Sequence, residues 1–162
     1  MTLQLSPRVL VAFAGLLPVL LPAARAQTPA PPPSFYTTYT YAAYTVYDTT
    51  STDPPTRVGG VGGWLIFRPN GTYEKRLSIS GRNGPMFFRQ DGTFTLKGDS
   101  IRFAFSDLKG PDVQRGTFRF DPATRHLSLT ILGYPTGNRG VYELDAAPAP
   151  APQPKPRRAR RK

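Results

Sequence analysis

Apolar and polar residues alternate along most of the chain between residues 34 and 145. Tyr73, Leu77 and Ile79 share one phase of the alternation, and Glu74, Arg76 and Ser78 share the other. Phe94 and Leu96 oppose Thr93, Thr95 and Lys97. Ile101, Phe103 and Phe105 oppose Arg102, Ala104 and Ser106. The same period-two pattern recurs at Phe118 and Phe120, at Leu127, Leu129 and Ile131, and at Tyr142 and Leu144. Each segment has one apolar face, which predicts antiparallel strands of a sheet buried on one side. No ten-residue window carries the helical period.

The connections read as tight turns. Pro69-Asn70-Gly71 separates strands over 64–68 and 72–80, and Asp91-Gly92 separates 86–90 from 93–97. Gly98-Asp99 leads into 100–106, and residues 121–124 join 116–120 to 126–132. Asn-Gly and Asp-Gly supply the positive φ that such turns need. Eight or nine short strands with no crossover helix predict an all-β antiparallel meander. Sequential hairpins favour an up-and-down barrel, whose closure removes exposed strand edges.

Residues 34–48 (SFYTTYTYAAYTVYD) predict a strand rich in phenols. Tyr39 and Tyr41 lie in one phase and Tyr44 and Val46 in the other, and a bulge at Ala42-Ala43 would bring all four to one face. Two readings follow: phenols lining a pocket, or cross-strand pairs that close the barrel.

The flanks differ in kind. Residues 1–26 have the form of a secretory signal peptide: Arg8, an apolar run over 9–21, then Ala24-Arg25-Ala26 as the cleavage site. The run is shorter than the ~20 residues a membrane-spanning helix requires. Residues 27–34 form a Pro-rich spacer, 35–145 the globular domain, and 146–162 an Ala-Pro arm ending in a basic tail, an extended segment without a core of its own. The formal net charge is +11, but Lys155, Arg157, Arg158, Arg160, Arg161 and Lys162 carry much of it. The domain itself is only mildly basic. The mature protein is expected to be secreted or periplasmic.

Gly62-Gly63-Trp64, the hairpin Phe67-x-x-Asn70-Gly71-Thr72-Tyr73, and the stretch Asp91-Gly92-Thr93-Phe94-Thr95-Leu96-x-Gly98-Asp99-x-Ile101-x-Phe103 resemble small bacterial lipocalin-like domains of the calycin group. Two features depart from that pattern. A whole tyrosine strand precedes Trp64, where the family opens on its G-x-W, and no helix follows the last strand. The resemblance implies a barrel able to hold a small hydrophobic molecule. It also implies a structural pair in which Arg139 covers Trp64 by cation–π packing.

Chemistry is sparse. The chain has no Cys and one His, which excludes thiol catalysis, disulfides and multi-histidine metal sites. His126 falls in a polar phase, the aspartates sit in turns, and no phosphate-binding or dinucleotide motif is present. Gly59-Gly60-Val61-Gly62-Gly63 precedes a strand rather than a helix and reads as a flexible strand entry or a flap. The expectation is an exported, non-enzymatic barrel without cofactor or metal. Its candidate pocket lining is Tyr39, Tyr41, Tyr44, Phe94, Phe103, Phe105 and Phe118. The alternative is a structural or interaction module of the cell envelope with a filled core. In that case the basic tail adheres to anionic surfaces, without sequence-specific reading of nucleic acid.

Overall fold

A computed structural model describes residues 30–148. The expected signal peptide, most of the Pro-rich spacer, and the Ala-Pro arm with its six cations lie outside the described residues. No helix among the described residues is long and apolar enough to cross a membrane.

The described chain is a nine-stranded antiparallel sheet: β1 Thr38–Tyr47, β2 Thr56–Arg57, β3 Gly62–Phe67, β4 Thr72–Gly81, β5 Gly84–Lys97, β6 Ser100–Asp107, β7 Gly110–Asp121, β8 His126–Leu132 and β9 Arg139–Ala146. Strands β3 to β9 follow one another as a meander. β1 pairs with β3 on one side and with β9 on the other, which closes an eight-stranded barrel, and β2 is appended to β1. This is the up-and-down barrel that the alternation predicts.

Closure depends on β1. Its register against β9 shifts between Tyr41 and Ala43, so the bulge lies where the two alanines allow it. Before the shift Tyr41 opposes Leu144, and after it Tyr44 opposes Tyr142. Both phases of the tyrosine strand therefore contact the interior. Tyr44 stacks on Tyr142 with ring centres 4.3 Å apart.

Four details differ from the sequence expectation. Asp91-Gly92 is not a turn but lies inside β5, which runs unbroken for 14 residues. Gly92 faces inward where the strand coils, and a Cβ there would strike the Ala104 carbonyl. The turn that ends β4 is instead Arg82-Asn83, between Gly81 and Gly84. β7 begins at Gly110 rather than 116. Residues 59–63 are held at both sides rather than free: Val58 N–H donates to Tyr44 O at 2.8 Å, and Ser80 N–H donates to Gly59 O at 2.8 Å.

The fourth difference is at the start of the domain. β1 opens at Thr38, and Pro33–Phe35 form a short 3-10 helix before it. The prolines fix φ and need no donor there. Phe35 N–H donates to Pro32 O at 2.9 Å, and the turn drives the Phe35 ring into one end of the barrel, where it is fully buried. The boundary therefore falls inside the Pro-rich spacer. At the other end of the chain, Ala147 N–H donates to Thr38 O, which extends the domain past 145.

Candidate functional site

Phe35 plugs the barrel end from which both chain ends leave. Its ring stacks on Phe67 at 5.0 Å and packs against Phe118 at 5.4 Å and Phe120 at 5.7 Å. Phe94 and Tyr39 complete the cluster at 6.5 and 6.3 Å. The Tyr39 hydroxyl donates to Phe35 O at 2.8 Å, so this buried phenol is satisfied by backbone. Of the expected pocket lining, Tyr39, Phe94 and Phe118 thus belong to a packed aromatic base.

Tyr41 and Phe103 sit one layer higher. Around a central cavity they meet Leu65, Tyr73, Lys75, Gln90, Gln114, Leu129, Ile131 and Tyr142. The cavity holds about 10 Å³, room for the centre of one water molecule. Phe105 points inward nearer the far end and stays half-buried, opposite Gly92 and Asp112.

Lys75 is the residue that the alternation hides. It lies in the inward phase between Tyr73 and Leu77 and pairs with Gln90 on β5. Its ammonium stands 5.2 Å from the centre of the Tyr142 ring, an arrangement that cation–π attraction favours. No carboxylate among the described residues forms an ion pair with it, and burial lowers its pKa to about 8. Gln90 Oε1 accepts from the Tyr73 hydroxyl at 2.8 Å. Burial likewise raises the Tyr41, Tyr73 and Tyr142 phenols well above their ordinary range. The interior polar set is one cation, two amides and neutral phenols. This set can hold one water or one small acceptor.

The outer wall carries the remaining chemistry. Trp64 faces outward, half-buried, and the guanidinium over its ring is that of Arg76, at 5.4 Å. Arg76 also bridges Asp91 at 2.6 Å and Glu74 at 3.0 Å. Arg139 lies instead over Tyr47, at 4.1 Å, so the expected Arg139–Trp64 pair does not form. The reason is register: Arg139 opposes Tyr47 across β1 and β9, whereas Trp64 opposes Arg76 across β3 and β4.

His126 is outward, as its polar phase implies, and lies in an open depression on β7, β8 and β9. Its Nδ1 meets Asp145 Oδ1 and its Nε2 meets Glu143 Oε2, each at 2.8 Å. Both partners are carboxylates, an arrangement that favours the doubly protonated ring. The bonds to Asp145 and then Glu143 raise its pKa. Ser128 Oγ donates to Glu143 at 3.1 Å rather than to the ring. The trio therefore has no Ser–His hydrogen bond of the kind a Ser–His–acid triad uses. Among the described residues no group of His, Asp and Glu has the geometry to hold a metal.

One asymmetry was not legible in the sequence. The large apolar side chains left exposed are Met86, Phe87, Phe88, Leu108, Val113, Leu132 and Tyr134. All belong to the ends of the β4–β5, β6–β7 and β8–β9 hairpins, and the meander brings these to the end opposite Phe35. The exposed large apolar side chains are thus confined to one end of the barrel. No family model matches the chain, and no curated protein is significantly similar to it. What the geometry establishes is a closed eight-stranded antiparallel barrel with an aromatic base, a central cavity of about 10 Å³ and exposed apolar side chains at the far end.

Proposed function

We propose that this chain is an exported, non-enzymatic barrel of lipocalin-like type that works through its outer surface, as an interaction module of the cell envelope. The observation that carries this reading is the interior cavity of about 10 Å³, against the several hundred Å³ of a small-molecule site. The core consists of the barrel's own aromatic and aliphatic side chains, as the cores of small barrels commonly do. In this reading the six cations between Lys155 and Lys162 hold the protein to anionic surfaces. Each contributes about 1 kcal/mol near such a surface, in a salt-dependent manner.

Lys75 favours a second reading. An inward cation without a carboxylate partner suits the acidic head of a small amphiphile entering from the apolar far end.

Native mass spectrometry of the exported protein separates the two. A bare protein mass after incubation with fatty acids, isoprenoids and porphyrins is expected. A bound mass that Lys75→Met abolishes would instead favour the ligand-binding barrel. The surface role is tested by truncation after Pro148, which should release the protein from anionic vesicles while leaving the barrel folded. Retention of the truncated protein on vesicles would exclude the tail as the anchor.

A further inference from the structure

β5 outruns its neighbour. It pairs with β4 from Gly84 to Thr93 but with β6 only from Gly92 onward. Residues 84–91 therefore have a free edge on the β6 side. Residues 84–89 are all exposed, and Phe87 is 71% exposed. An apolar, unpaired edge invites pairing with another strand.

The turn fixes which backbone groups are available. Arg82-Asn83 is a two-residue hairpin loop, so Gly81 and Gly84 form the bonded pair that closes it. Even-numbered residues of β5 then bond to β4, and residues 85, 87, 89 and 91 direct their backbone groups outward. The phase agrees with the next hairpin, where odd-numbered Lys97 pairs with Ser100 across its two-residue turn. Pro85 has no N–H, so the outward donors are those of Phe87, Arg89 and Asp91.

We propose that this edge is a dimer interface, filled by the same edge of a second copy running antiparallel about a two-fold axis at Phe87. The sequence is self-complementary in that register. The two Phe87 residues exchange a pair of N–H···O bonds, and each Arg89 N–H donates to the Pro85 carbonyl of the other copy. The missing proline donor thus falls at the flank of the ladder. On one face Phe87 meets Phe87, and on the other Met86 meets Phe88. Arg89 is the sole charge in residues 84–89, and it opposes Pro85, so no like charges face each other across the pair. Such an interface is isologous and closes at two subunits. The basic tail fits this edge poorly, because its cations would face Arg89 and three large apolar side chains. The dimer stands independently of whatever the tail binds.

Sedimentation velocity over a range of micromolar concentrations tests it, with hydrogen exchange at the amides of Phe87 and Arg89. The wild-type protein should dimerise, and both amides should gain protection as concentration rises. Phe87→Pro removes only an outward donor, because Phe87 does not bond to β4. Phe87→Lys keeps the backbone and sets two cations face to face. Each should weaken dimerisation about tenfold or more, the effect of ~1.4 kcal/mol. Val113→Lys, at another exposed apolar position of the same end, should not. A monomer at every concentration would overturn the proposal, as would a dimer indifferent to Phe87→Lys should Phe87→Pro fail to fold. Phe87-dependent sedimentation of a monomer with phosphatidylcholine vesicles would also overturn it and assign the edge to lipid.

Discussion

The Phe35 ring lies 5.0 Å from that of Phe67, stacked, with the two planes 24° apart. The contact joins a residue preceding the first strand to the end of β3, and the rest of the aromatic base is arranged around it. Phe35→Ala removes the centre of that cluster. Loss of about 3–5 kcal/mol is expected, as for other buried Phe→Ala changes, read as a fall in the denaturant midpoint. A shift comparable to that of an exposed-residue control such as Leu108→Ala would show that the barrel closes without its plug.

Lys75 makes stability depend on alkaline pH. Its pKa falls from 10.5 unfolded to about 8 folded. Between these values the unfolded chain binds more protons than the folded one, so stability rises with pH. Near pH 10 the tyrosines reverse the trend, because their folded phenols resist the ionisation that the unfolded chain undergoes. Lys75→Met should therefore stabilise the barrel at pH 7 by about 1–3 kcal/mol, with the gain shrinking by pH 9.5. A gain of equal size at both pH values would mean that Lys75 pays no desolvation penalty.

His126 acts in the opposite sense. Its folded pKa is raised, so its contribution is complete below pH 6.5 and is lost as pH rises through the folded value. The side chain is 38% exposed, and solvent screening keeps the effect below about 1 kcal/mol. An NMR titration should place the ring midpoint above 6.5. Glu143→Gln with Asp145→Asn should bring it back, and a wild-type midpoint at or below 6.5 would show that the imidazolium bridge does not persist in solution.

Trp64 reports on its own cation. Arg76→Ala should change the fluorescence of this single tryptophan, since the Arg76 guanidinium lies over its ring. Arg139→Ala should leave it unchanged and perturb Tyr47 instead. The reverse result would restore the pairing that the family resemblance implies.

The strands and the barrel were legible because alternation records which side of a strand is buried. The bulge was legible from two alanines between mismatched phases. Asp91-Gly92 misled because the dipeptide has the same local preference in a turn and in a strand that must bend: only the Ala104 carbonyl facing Gly92 distinguishes them. Phe35 was hidden by the prolines before it, which read as a spacer and serve here as the arm of a plug. Lys75 was hidden because a polar residue in an apolar phase passes for a break in the pattern, although its odd-numbered position beside Tyr73 and Leu77 was the signal. Arg139 was misassigned because partners across β1 and β9 depend on a register the sequence does not print.

Both chain ends leave the barrel beside the Phe35 plug, and this sets the geometry of any pair formed at the opposite end. Two copies joined through antiparallel β5 edges point their plugs in opposite directions. Residues 30 and 148, where the described chain ends, then lie at the two poles of the assembly. Whatever follows each barrel is then presented in two opposite directions, about two barrel heights apart.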